Sequence, residues 1–407
     1  MSTMNEINHF LDTRLLSTIP LMVIVISIIF GKIVWFFLVE VKRREKMKHY
    51  MIVFGTRPEL IKIFPLIKEC QNHAKQIKLT IVNTGQQKEM VDILLKEWNI
   101  QTNYDLEIMK QQQTLTELTI NLMSALEPVL KMENPDVVIV HGDTTTAFIA
   151  SLMAFYQQKK IAHVEAGLRT SNKNAPFPEE MNRQLVDRVA DYYFVPTQSN
   201  RENLEKEGID SVIEVTGNTG IDTLHYLDLK RTIGTEQRQI LVTLHRRELG
   251  EEQLVKICKA LVAIAKEYPD IIIKYPVHLN PKIKNIVCSL LSNQPNIDLT
   301  NPLNYLAFQQ EMMNSFLVIT DSGGIQEEAP YYKVPVLVIR EVTERQEAVV
   351  AGGLKLIGTD ERKLYKNVVA LLNNADEYES MRAAKCTRTY GDGKAAKRII
   401  RRLLQEV

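Results

Sequence analysis

The sequence predicts an α/β protein of two doubly wound domains with a cleft between them, preceded by one N-terminal transmembrane helix. Three observations predict it. From Tyr50 onward, short β-branched runs alternate with helical stretches, the pattern of parallel sheets covered on both faces. After about Thr223 the same alternation starts again. Ahead of both lies a run from Ile19 to Val39 whose only charge is Lys32, long enough to cross a bilayer core.

That run is preceded by Glu6, Asp12 and Arg14 and followed by Lys42, Arg43, Arg44, Lys46 and Lys48. The positive charge behind it predicts a single-pass anchor in the cell membrane with the rest of the chain cytoplasmic. Neither a basic start nor a small-residue cleavage site marks it as a signal peptide. The alternative is that translation begins at Met47, because MKHYMIVFG is a natural start for a cytoplasmic α/β enzyme.

The 407 residues are 45% apolar and 24% charged, which excludes disordered and collagen-like chains. Fifty basic residues against 49 acidic ones leave a formal charge of +1, so no nucleic-acid partner is expected. Cys70, Cys258, Cys288 and Cys386 form no CxxC pair; neither a disulfide framework nor a zinc site is indicated.

Strand candidates in the first half are YMIVFG, KLTIVNTG, DVVIVHGD, IAHVEAG, DYYFVPT and SVIEVTGN; in the second they are QILVTLHR, IIIKYPVH, FLVITDSGG, PVLVIRE and LKLIG. Residues 1–46 are therefore expected to carry the anchor, 47–220 the first domain, and 221–385 the second. Residues 386–407 are expected to form a terminal helix folding back on the first domain. Without a Gly/Ser linker, the domains should pack closely around their cleft. Its chemistry should sit at the carboxyl ends of strands.

Polar clusters fall at those ends. YMIVFG runs into Thr56, Arg57, Pro58 and Glu59, with Lys62 one turn on. Arg57 and Lys62 would suit an anion at a helix N-terminus; an ordinary βα loop with surface cations is the plainer alternative. No GxGxxG is present, so the dinucleotide fingerprint is absent. DVVIVHGD ends in His141, Gly142 and Asp143 ahead of three threonines, IAHVEAG supplies Glu165, and PFPEEMNR adds Glu179 and Glu180. Carboxylates gathered in a partly desolvated crevice suit proton transfer, although acids are also common at helix N-termini.

In the second half, QILVTLHRRE brings His245, Arg246, Arg247 and Glu248, and IIIKYPVHLNP brings His278. Ser322, Gly323 and Gly324 open a helix with unobstructed amides, followed by Glu327 and Glu328. That pattern suits a diphosphate with ribose hydroxyls behind it. A glycine-rich turn capped by Asp321 is the alternative. Arg345 would add a further cation.

GTRPELIK, VHGDTTTA, HVEAGLRT, PFPEEMNR, TGNTGIDTL, HRRE, YPVHLNP, DSGGIQEEAP and YGDGKA, in this order from Tyr50 to the C-terminus, closely resemble the non-hydrolysing UDP-N-acetylglucosamine 2-epimerases. The resemblance implies two Rossmann-like domains in a GT-B-like arrangement, with UDP held mainly by the second and the sugar between them. It implies interconversion of UDP-GlcNAc and UDP-ManNAc for cell-surface glycan synthesis, by anti elimination of UDP to 2-acetamidoglucal and re-addition. It also implies a homodimer with neither metal nor nicotinamide cofactor. Carried over by motif, Arg57, Lys62, Phe308, Ser322, Gly323, Gly324, Glu328 and Arg345 would bind the substrate. Asp143, Glu165, Glu179 and His245 resemble the acid/base residues.

The chain departs from the family in places. Gln87 stands where TGQH has its histidine, and Gln112 where arginine is common; these places help bacterial members bind a second UDP-GlcNAc as activator. Leu244 and Gln346 are also unusual but remove no charge. Two other classes share some of these features. A membrane-anchored GT-B glycosyltransferase would share the nucleotide cradle, and a non-catalytic nucleotide-sugar sensor would fit the altered TGQQ run.

Overall fold

Thirteen strands form two sheets among the residues described by the computed structural model, namely 47–110, 112–232, 238–244, 250–343, 345–384 and 389–406. The first sheet takes β1 (Lys48–Phe54), β2 (Ile77–Asn83), β3 (Tyr104–Asp105), β4 (Val137–His141), β5 (Lys160–Val164), β6 (Tyr192–Val195) and β7 (Val212–Val215), in the order β3-β2-β1-β4-β5-β6-β7. The second takes β8 (Gln239–Thr243), β9 (Ile272–Pro276), β10 (Ile297–Thr300), β11 (Leu317–Thr320), β12 (Val336–Val338) and β13 (Leu354–Leu356), in the order β10-β9-β8-β11-β12-β13. β1 registers parallel to β4 and β8 parallel to β11. Strand order reverses at both pairs, so each sheet opens a ligand crevice at its carboxyl edge there.

Central strands such as β4, VVIVH, are buried along their whole length, as expected where helices cover both faces. One apolar cluster then joins the halves. It holds Tyr50, Ile52 and Phe54 of β1, Ile63 and Phe64 of the helix Arg57–Asn72, Tyr305, Ile325 and Ala329 of the second half, and Ile399, Ile400 and Leu403 near the C-terminus. The helix Ala395–Glu406 buries Ala395, Ala396, Ile399, Ile400 and Leu403, one stripe at helical spacing. Its first amides, of Ala395 and Ala396, donate to Asp222 at 3.1 and 2.8 Å. It packs against the helix Arg57–Asn72, so the chain returns to the first half.

Two strands were not expected. β3 is a two-residue edge strand, and β10 an edge strand whose Asp298 and Thr300 stay outside the core. Such strands lack the continuous apolar run that reveals a central one. The transmembrane helix is withdrawn from the fold. Among the described residues no helix is long and apolar enough to cross a membrane. The longest described helix, Leu115–Glu133, has 19 residues but carries Glu117, Glu127, Lys131 and Glu133, charges that hydrocarbon does not accommodate. The run at 19–39 lies outside the described residues. The architecture is thus a two-domain parallel α/β fold.

Candidate active site

β1 leads into Thr56, whose hydroxyl caps the helix Arg57–Asn72 by accepting from the Glu59 amide. The Glu59 carboxylate in turn accepts from the amides of Gly55 and Thr56 at 3.1 and 2.9 Å. Thr144, in the loop after β4, donates its hydroxyl to the same carboxylate at 2.7 Å. The two loops at the first switch point are therefore tied together by one buried acid. Burial pushes its pKa up to about 7 despite these donors.

Lys62 lies one turn further along that helix. Its buried ammonium rests against Glu165 and stands 3.1 Å from Glu327. Glu165, just after β5, has a φ of 68°, a left-handed conformation that a non-glycine residue keeps only where its surroundings hold it. Asn218 Nδ2 donates to Glu165 at 2.7 Å and to Glu327 at 3.0 Å. Arg345 Nε donates to the other oxygen of Glu327 at 2.8 Å. The result is a buried, interlocked cluster of two acids and two bases drawn from both halves.

The protonation states follow from this packing. Burial by itself would raise the pKa of Glu165, but Lys62 foremost, and Arg345, hold it well below the usual carboxylate range. For Lys62, burial works against the charge and is outweighed by Glu165 and Glu327, which raise its pKa. His141, at the end of β4, is driven down to about 3 by burial and by Lys62. It meets the cluster as a neutral ring, with Nε2 3.7 Å from Glu165 and no hydrogen-bond partner among the described residues.

At the second switch point, β11 ends at the helix Gly323–Tyr331, with Ser322 as its N-cap. A Cβ at Gly323 would come 2.8 Å from Arg345 Nη1 and 3.0 Å from Cζ. Only a residue without a side chain lets the guanidinium lie against the first turn. A Cβ at Gly324 would point into open space, with nothing within 4 Å. Exposed amides, helix dipole and guanidinium together form an anion cradle. Glu328 lies behind it, accepting from Tyr305 Oη at 3.2 Å and Gln309 Nε2 at 2.6 Å, with burial raising its pKa to about 7.

Asp143 stands in the turn after β4 as the ion-pair partner of Arg183. Arg183 also holds Glu180 at 3.1 Å, and Asn182 Nδ2 donates to the Asp143 carbonyl at 3.0 Å. The PEEMNR segment thus anchors the HGD turn. Gly142 in that turn also adjoins Glu165, since a Cβ there would lie 3.9 Å from Oε1. Among the described residues, no group of three His, Cys, Asp or Glu side chains is arranged to hold a metal ion.

The family model described as UDP-N-acetylglucosamine 2-epimerase matches residues 68–404. The chain belongs to the UDP-N-acetylglucosamine 2-epimerase family. It is 46% identical over 378 residues to the UDP-N-acetylglucosamine 2-epimerase of Campylobacter jejuni, covering 88% of this chain and 98% of the relative. The Bacillus subtilis relative of the same description is 44% identical over 363 residues, 87% of this chain and 94% of its own. Among solved structures, the UDP-GlcNAc 2-epimerase of Neisseria meningitidis bound to UDP-GlcNAc superposes with a TM-score of 0.83 at 42% identity, covering 88% of this chain and all of that one. These enzymes are isomerases, and this chain shares their activity class and their GT-B-like fold.

Several residues expected from the family's motifs converge here. Lys62, Glu165 and Arg345 form the buried cluster, Gly323 opens the helix beside them, and Glu328 follows one turn on. Arg57 starts its helix, its amide donating to Gln87 at 3.1 Å. Phe308 packs against the apolar cluster from the helix Tyr305–Asn314. Glu179 is the first, half-buried residue of the helix Glu179–Val189, whereas its neighbour Glu180 is the buried one paired with Arg183. His245 lies outside the described residues.

The sequence pattern reads Glu327, with Glu328, as a carboxylate behind the diphosphate; the structure instead sets it between Lys62, Asn218 and Arg345. Asn218 stands within a motif with no role assigned, and Glu59, His141 and Arg183 are not singled out by the sequence as site residues. A signal that could have found Asn218 is its residue type just ahead of the helix Thr219–Leu227, which it caps. Nothing local marked the two carboxylates on which its amide converges.

Proposed function

We propose that the cluster expels and recaptures UDP, so that UDP-GlcNAc and UDP-ManNAc interconvert through 2-acetamidoglucal. The observation that carries this is the meeting of Lys62 and Arg345, one from each half, beside the open N-terminus of the helix Gly323–Tyr331, with the ionised Glu165 at the same point. The hydrogen on carbon 2 of the sugar is weakly acidic, so simple deprotonation is slow. Breaking the bond from carbon 1 to the β-phosphate oxygen sends its electron pair to UDP. The cations and helix amides stabilise that charge. The carbon 2 proton passes to a carboxylate of the set Asp143, Glu165 and Glu179, and the electrons of that bond form the glycal double bond. In return, carbon 2 is protonated on the opposite face and the phosphate oxygen re-forms its bond to carbon 1.

The same reading includes a homodimer, which exposed apolar side chains on three helices of the first half support: Ile93, Ile120 and Phe155 are more than half exposed. It also places the product in the supply of N-acetylmannosamine units to glycans.

Proton NMR of UDP-GlcNAc incubated with the purified chain in deuterated water tests the mechanism. Deuterium is expected at carbon 2 of both epimers, because the abstracted proton exchanges with solvent. Epimerisation without uptake overturns it.

A further inference from the structure

We infer that Glu327 is a positioning residue for this reaction, holding Arg345 and Lys62 in the diphosphate cradle while Asn218 ties it to Glu165. The inference rests on the function proposed above. One Glu327 oxygen accepts from Arg345 Nε at 2.8 Å; the other faces Asn218 Nδ2 at 3.0 Å and Lys62 Nζ at 3.1 Å. The carboxylate thus has a defined partner in each direction and is 3% exposed, so it acts through those partners.

Three features make this more than charge balance. Engaging Arg345 through Nε sets the guanidinium plane, and Nη1 is then the atom nearest the side-chain-free edge of Gly323. Lys62 comes from the first half and Arg345 from the second, so one carboxylate aligns cations that would otherwise follow their own domains. Asn218 lies at the crossing of the two connections between the halves: its amide donates to the Tyr390 carbonyl at 2.6 Å, and a Cβ at Gly217 would come 2.9 Å from Gly391 Cα. The cradle is therefore locked to the point where the halves meet. Donors held in place before charge develops need no reorganisation as the leaving group departs.

The test uses the full chain. Epimerisation of UDP-GlcNAc by the wild type is measured first; its absence removes the function reading itself. With that activity in hand, Glu327→Gln retains shape but not the charge that binds both cations. Its kcat is expected to fall about 10- to 100-fold, the worth of a charge-assisted hydrogen bond. UDP affinity is expected to hold or tighten, because the cradle becomes more positive. In an Arg345→Lys background, the further loss from Glu327→Gln should shrink to about three-fold or less, as for residues acting as one unit. An unchanged kcat, a UDP affinity that falls as steeply as kcat, or losses that multiply independently would each overturn the assignment. Should thermal melting show that Glu327→Gln does not fold, Asn218→Ser decides. Serine keeps the cap that Asn218 Oδ1 makes to the Gly220 amide at 2.8 Å and loses the donor to both carboxylates. A lower kcat with UDP affinity intact supports the inference, and an unchanged kcat overturns it.

Discussion

Asp143 and Arg183 form an ion pair of unequal exposure: the guanidinium side chain is 5% exposed and the carboxylate 24%. The buried guanidinium anchors the more open carboxylate. Asp143→Asn keeps the shape and one acceptor for Arg183 but removes one of the three carboxylates proposed to take the carbon 2 proton. Turnover is therefore expected to fall about 10²- to 10⁴-fold, far more than UDP affinity. Steady-state kinetics beside calorimetric UDP binding check this, and equal losses in both would move Asp143 from chemistry to binding.

Glu165 gives a pH-dependent stability. Its folded pKa lies below the ordinary carboxylate value, so its contribution is present above the unfolded pKa of about 4.3 and is lost as pH falls through the folded one. Glu165→Gln is expected to cost about 3 kcal/mol at pH 7, the scale for breaking a buried pair. The gap in melting temperature between wild type and variant should narrow as pH falls below about 4. A gap that stays constant with pH would deny the charge this role.

Gly323 and Gly324 should respond differently to alanine. At Gly323 the new methyl meets the far end of Arg345, which must swing away and lose its place over the helix end. At Gly324 it enters open space, where a bound phosphate would lie. Both variants are expected to fold with melting temperatures near wild type and to bind UDP about ten-fold more weakly or worse. Only Gly323→Ala should also lose much of the effect of a second change at Arg345. Titration with UDP measures each.

The activator region gives the fourth expectation. Gln87 Oε1 accepts from the Arg57 amide at 3.1 Å, and Lys88 is ion-paired with Glu107. Neither supplies the histidine and arginine that the family resemblance implies for holding a second UDP-GlcNAc. The reaction from pure UDP-ManNAc is expected to start without a lag. A lag abolished by a trace of UDP-GlcNAc would show that the second site is intact.

Much of this was legible in order along the chain. β-branched runs such as DVVIVHGD disclosed the central strands, because a strand buried on both faces must be apolar throughout. The carboxyl ends of those strands disclosed Lys62, Asp143, Glu165 and the SGG turn, since that is where such sheets bind ligands. Edge strands β3 and β10 escaped, being short and half polar. The run at 19–39 read as a span from its length, apolarity and flanking charges; it lies outside the described residues, among which no helix is long and apolar enough to cross a membrane.

The sequence by itself determined the two-domain α/β class and the family, because each depends on local composition and on motifs of adjacent residues; the two switch points came from the strand order, which is tertiary. Tertiary structure decided which charges meet. Lys62, Glu165, Asn218, Glu327 and Arg345 span more than 280 positions of the chain, and nothing along it says that one carboxylate will face three donors. It also decided protonation. Glu165 is held ionised while Glu59 and Glu328, the same residue type at similar burial, are raised to about 7. The difference is the ammonium packed against Glu165, a matter of distance that no composition encodes.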